Sequence, residues 1–123
     1  MPPVKLFFYF NGFNSAILDD FSGNPKIVAV AEFAVDRGYR FLPISVCYRQ
    51  AREQAQEILA MIDESAVEVV FCGSSMGGWF ARILQLMLNR ERTEIRSAAV
   101  GFNPAFSLEI DAWLAALSSQ PMT

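Results

Sequence analysis

Apolar positions along the chain fall into blocks that switch between continuous runs and helical spacing, and that switching predicts the elements. Residues 4–10 (Val-Lys-Leu-Phe-Phe-Tyr-Phe) are almost wholly apolar, as in a strand covered on both faces. A polar, glycine-containing stretch follows over residues 11–24. Asn24-Pro25 then reads as an N-cap with proline at the first helical position, which predicts a helix to about Arg37 that Gly38 stops. Residues 40–48 predict a second strand, and Ala51, Ala55, Ile58, Leu59 and Ile62 recur at the spacing of a second helix. Residues 67–72 predict a third strand broken at Gly73, and Met76, Phe80, Ile83, Leu84, Met87 and Leu88 trace a third helix. Residues 97–102 predict a fourth strand, and after Asn103-Pro104 a last helix carries Ile110, Trp113, Leu114 and Leu117 on one stripe.

Strands alternating with helices, without repeats or linker-like tracts, predict an α/β fold in which helices cover both faces of a parallel sheet of about four strands. Right-handed crossovers predict the spatial order second, first, third, fourth, with the first and third strands meeting at the switch point. The 123 residues make one domain, residues 1–123, since a chain of that size buries roughly two thirds of its unfolded surface. With 53% hydrophobic and 19% charged residues, the chain is apolar enough for a heavily buried sheet.

A net charge of −3 without a basic stripe gives no footprint for a phosphate backbone, so no nucleic-acid partner is expected. The apolar run before Asn11-Gly12 is too short for a secretory leader, and no uncharged stretch approaches the roughly 18 residues that span a bilayer. The reading is a cytoplasmic protein without membrane association. Cys47 and Cys72 both fall in predicted buried strands, two strand spacings or about 9 to 10 Å apart, too far for a disulfide. They are expected to be core residues. Without a Cys-x-x-Cys pair or any histidine, neither a metal nor another cofactor is expected.

The chemistry concentrates in residues 73–78, Gly-Ser-Ser-Met-Gly-Gly. They fit G-x-S-x-G, with Ser75 where an apolar strand turns into an amphipathic helix, the context of a nucleophile elbow. Gly73 and Gly77 must be small so that neighbouring chains can pass the tight turn. The Ser75 hydroxyl would project over the C-terminal edge of the sheet, and the backbone N–H of Met76 at the helix start would face a developing oxyanion. The plainer alternative is a glycine-rich turn whose serines cap the helix.

Three stretches carry a likeness to a family: Phe8-Tyr9-Phe10-Asn11-Gly12-Phe13-Asn14-Ser15, the elbow through Ala81, and Gly101-Phe102-Asn103-Pro104-Ala105. In order and spacing the chain resembles the small bacterial esterases of the YqiA type, compact α/β hydrolases, over some two thirds of a typical member. That resemblance implies an α/β-hydrolase core without its C-terminal strands, Ser75 as nucleophile, and an oxyanion hole from the N–H groups of Met76 and Phe13. It also implies a small ester or acyl ligand.

Two departures qualify the likeness. Asn11 stands where the family has histidine, and histidine is missing from all 123 residues. The triad order Ser, Asp or Glu, His places the last two beyond the fourth strand. Loss of a triad's base costs on the order of 10⁶ in kcat. Lysine serves as base in Ser-Lys enzymes, yet Lys5 starts a strand at the far end of the sheet and Lys26 sits in the first turn of a helix. Glu109 and Asp111 follow the fourth strand, but an acid has no imidazole here to orient; they read as solvated carboxylates at a helix start. Asn103 reads as the start of the turn that Pro104 fixes, and Trp79 and Trp113 as packing residues.

The sequence therefore supports an esterase-type serine hydrolase with an incomplete triad, or an inactive homologue that keeps the fold for binding. A flavodoxin-like nucleotide binder with phosphate at the 74–78 helix start also fits the topology, without its glycine fingerprint. The fourth strand carries no charge between Arg96 and Glu109, and an unguarded edge invites pairing. A homodimer or protein partner is expected at the fourth strand and last helix.

Overall fold

The computed structural model describes residues 3–12, 17 and 20–102. Four parallel strands form one sheet in the order β2-β1-β3-β4. They are β1 (Val4–Phe10), β2 (Arg40–Ile44), β3 (Ala66–Ser74) and β4 (Arg96–Phe102), joined by helices α1 (Pro25–Asp36), α2 (Ala51–Ala60) and α3 (Met76–Glu91). This is the α/β fold and the strand order that the alternation predicts.

Alternation along β1 divides the core in two. Leu6, Phe8 and Phe10 point to one face, where they pack with Val69 and Phe71 of β3 against α2 and α3. Phe8, Phe10 and Phe71 stack at 5.6 to 6.4 Å between centroids, and Phe80 of α3 meets Phe10 edge-on at 5.0 Å. Phe7 and Tyr9 point to the other face and pack with Cys72 against Ile27, Val30 and Ala34 of α1. β1 therefore has no solvent face, as its continuous apolar run requires.

The start of α1 is set by Asn24, whose side chain accepts the N–H of Ile27 at 3.3 Å, and Pro25 occupies the first turn at no hydrogen-bonding cost. Gly38, at φ 83°, takes the left-handed conformation that ends the helix.

Two strands end elsewhere than in the sequence reading. β2 stops at Ile44 rather than at residue 48, because Ile44 lies opposite Phe10, where β1 itself ends. Beyond it, side chains take over the backbone groups: Val46 N–H donates to Asn11 Oδ1 and Cys47 N–H to Gln54 Oε1. β3 continues past Gly73 to Ser74, which pairs with Phe102. The first shift corrects the expectation for Cys47, which leaves the sheet and is exposed, whereas Cys72 is buried as expected. Both thiols are free. The predicted last helix, with Asn103, Glu109, Asp111 and Trp113, lies outside the described residues.

Burial pushes the Cys72 thiol up to about 12, so at neutral pH it stays protonated and inert. The folded state then binds a proton more tightly than the unfolded chain. This contribution is fully present below the ordinary thiol value of 9.0 and is lost as pH rises towards about 12. A thiol reagent at neutral pH should modify Cys47 in the native protein and Cys72 only on unfolding, and urea midpoints should fall as pH rises through that window. Equal reactivity of both thiols would contradict this packing.

Candidate functional site

Three backbone segments converge at the C-terminal edge of the sheet: the end of β1, the end of β3 and the start of α3. A Cβ built on Gly77 would lie 2.7 Å from the carbonyl oxygen of Asn11 and closer still to that of Phe10; one on Gly73 would collide with the backbone of Gly77. Each glycine is there because another chain occupies the space of its missing side chain. Both are buried, as is Phe80 one turn further along α3.

Ser75 sits at the apex with φ 53° and ψ −119°, alone in positive φ among the described non-glycine residues. These are the angles of the first central residue of a type II′ turn, a place dominated by glycine, asparagine and aspartate. A serine held there carries strain on the order of 1–3 kcal/mol, and such outliers gather at functional sites. Its backbone is pinned on both sides. Ser75 N–H donates to the Phe102 carbonyl at 2.9 Å, and its own carbonyl accepts from Gly78 at 3.0 Å.

The Ser75 side chain is exposed and makes no capping hydrogen bond to α3. This separates it from the capping alternative. The hydroxyl that is used structurally is that of Ser74, 2.8 Å from Tyr9 Oη. Burial raises the Tyr9 phenol above its ordinary value, with the Ser74 hydrogen bond opposing, so the pair is neutral and holds the end of β1 to the end of β3. Met76, the first residue of α3, has its N–H in the turn that lacks intrahelical acceptors, beside the serine whose hydroxyl is free.

Asn11 is buried and fully engaged. Its Oδ1 accepts Val46 N–H, and its Nδ2 donates to the Gly12 carbonyl at 2.9 Å and the Val46 carbonyl at 3.4 Å. The Tyr48 hydroxyl donates to the Asn11 carbonyl, and burial drives that phenol's pKa upward. Asn11 therefore ties the first βα loop to the segment after β2. It holds the loop in place, and a side-chain amide is no base that could take a proton from Ser75.

The structure thus brings together Gly73, Ser75, Met76 and Gly77, with the end of β1 against them. Phe13, the other expected oxyanion donor, lies outside the described residues. Lys5 is at the opposite end of the sheet, bound to Glu68 at 3.5 Å and to the Arg37 carbonyl at 2.9 Å. Lys26 is nearer the elbow, its Nζ 5.8 Å from the centroid of the Phe102 ring. Trp79 is buried in the core, as its packing role requires.

Sequence reasoning missed the Tyr9–Ser74 pair, the engagement of Asn11 and the Phe102 carbonyl beneath Ser75. The first was accessible: alternation in β1 puts Tyr9 on the face of Cys72, next to the strand end that holds Ser74. The other two depend on loop paths that leave no mark in hydrophobic periodicity. Among the described residues, no group of acidic, cysteine or histidine side chains could hold a metal ion, and no helix is long and apolar enough to cross a membrane. No protein-family model matches this sequence, and comparisons with curated proteins and with solved structures gave no match.

Proposed function

We propose that this chain is the core of an esterase-type serine hydrolase of the α/β-hydrolase kind, with Ser75 as nucleophile and its general base not supplied by a histidine of these residues. The observation that carries the reading is the backbone of Ser75: φ 53°, ψ −119°, clamped between Gly73 and Gly77 with its hydroxyl exposed. A capping serine has no use for that conformation. In the proposed chemistry Ser75 Oγ attacks the carbonyl carbon of a small ester or acyl ligand and gives up its proton to water in place of a histidine. The Met76 N–H, with that of Phe13, stabilises the oxyanion that forms, and the ligand's alcohol or other leaving group departs, protonated, as the Ser75 ester is made. The likeness to YqiA-type esterases supports this assignment, and a cytoplasmic setting, in which neither cysteine needs to be paired, is part of the same proposal.

The second reading is an inactive homologue that retains the fold to bind a ligand or a protein. Asn11 favours it: the position that holds histidine in those esterases is filled by a side chain whose polar atoms are committed to backbone partners. In either case we propose self-association around the fourth strand, β4, which is the outer strand of the described sheet, and the expected last helix, most simply as a two-fold dimer.

The pure chain should hydrolyse short p-nitrophenyl esters poorly, because an oxyanion hole and binding alone leave roughly 10³ to 10⁴ over water. A fluorophosphonate probe should label Ser75 slowly, and Ser75→Ala should abolish the label. Fast turnover lost in Ser75→Ala would reveal a working base, with Lys26→Ala the first variant to assay; labelling unaffected by Ser75→Ala would remove the nucleophile assignment. For the assembly, light scattering at micromolar concentration should show a dimer, and a strict monomer would refute it.

A further inference from the structure

Among the described residues the two faces of the sheet are covered unequally. α2 and α3 close one face, with Ala99 of β4 packed beneath them. On the other face α1 packs on β1 and the near side of β3, while Val100 and Phe102 of β4 stay 43% and 37% exposed. Between α1 and β4 runs an apolar groove of about 470 Å³, floored by Val70 and Cys72 and walled by Val100 on one side and by Ala29 and Phe33 on the other. That volume is within the roughly 300 to 1,000 Å³ of small-molecule sites, which are mostly apolar with a few placed polar groups.

Here the polar groups gather at one end. Arg37 is the one charged side chain among the described residues that line the groove. Its guanidinium stacks on the Phe33 ring at 3.7 Å, and one N–H donates to the Phe33 carbonyl at 3.3 Å. Two contacts thus orient the fork and leave it further donors. Tyr39, also in the lining, donates its hydroxyl to Glu68 Oε2 at 2.6 Å, and Lys5 lies 3.5 Å from the same carboxylate. Arg96 stands opposite Glu68 in the pairing of β3 with β4. The Tyr39 hydrogen bond first, then Lys5 and Arg96, hold the Glu68 carboxyl below its ordinary value. This end of the groove therefore carries three bases, Lys5, Arg37 and Arg96, against the one acid they surround. Lys26 has its Nζ over the Phe102 ring at the opposite end, outside the lining.

We propose that this groove binds the anion of a free, single-chain fatty acid, with the hydrocarbon along Val70, Cys72 and Val100 and the carboxylate on Arg37. Three observations select that ligand. Hydrocarbon walls favour an apolar chain, and they would leave the hydroxyls of a sugar or the ring nitrogens of a nucleotide unpaired. With the Tyr39 hydroxyl committed to Glu68 and the Cys72 thiol only a weak donor, Arg37 is the side chain left to meet a polar head. The surplus of positive charge around Arg37 sets the sign of that head, and a guanidinium fork matches a planar carboxylate with two parallel N–H···O bonds. Such a site lies on a face of the sheet and needs no chemistry at Ser75.

Titration calorimetry of the full chain with decanoate, decanol and decyltrimethylammonium, each below its micelle-forming concentration, is the test. Decanoate should saturate a single site per chain and bind about tenfold more tightly than the alcohol, with the cation weaker still. Arg37→Ala should weaken decanoate about tenfold and leave the alcohol unchanged, a split that a general loss of structure would not give. Val100→Trp, at an exposed position, fills the groove and should weaken acid and alcohol alike by about tenfold or more, in a protein that keeps its wild-type circular dichroism. Absence of saturable decanoate binding to the wild type would overturn the proposal. Equal affinity for the acid and the cation would overturn it by showing an unselective apolar patch, and binding that survives Val100→Trp would do so by putting the ligand elsewhere.

Discussion

Everything distinctive about this molecule depends on how closely the start of α3 approaches the end of β1. Carbonyl oxygens of Phe10 and Asn11 lie where a side chain on Gly77 would have to be, and Gly77 in turn fills the space above Gly73. With three backbones in contact there is no room for a gradual turn from β3 into α3. The chain reverses in one residue, and Ser75 takes the positive φ that the reversal demands. Its exposed hydroxyl is a consequence of the same packing.

That contact is held from both sides by groups buried for other reasons. Below it, the aromatic stack of Phe8, Phe10 and Phe71, capped by Phe80, fixes the spacing between β1, β3 and α3. Beside it, Asn11 and Tyr48 anchor the loop after β1, and Tyr9 with Ser74 ties the two strand ends together. The Phe102 carbonyl accepts the Ser75 N–H, so β4 also takes part in holding the strained residue. Strain at a single residue persists only where its surroundings over-determine it, and here strands, helix and loop all do.

The sheet was legible in the sequence because its signals are strong and local. A seven-residue apolar run in β1, an Asn-Pro helix start and Gly38 each permit few conformations, and right-handed crossovers then leave one strand order. The glycine-serine motif could be placed for the same reason. The end of β2 could not, because it is set by where β1 ends and by Asn11 reaching across to Val46, a contact between residues 35 positions apart. That long-range hydrogen bond also carried Cys47 out of the sheet, against its apolar setting. Asn11 shows the same lesson at the site: its residue type is plain in the sequence, and only the geometry revealed which backbone groups its side chain holds.

The most direct measurement compares the stability of Ser75→Gly and Ser75→Ala with the wild type by urea unfolding. An ordinary capping serine loses about 1 kcal/mol on replacement by alanine and a few tenths on replacement by glycine. If Ser75 is the strained apex of an elbow, glycine relieves its backbone, and Ser75→Gly should be more stable than wild type by about 1 kcal/mol. Ser75→Ala, which deletes no capping bond, should then stay within about 0.5 kcal/mol of it. Destabilisation of both variants, with alanine the worse, would contradict the elbow and restore Ser75 to the role of a helix cap.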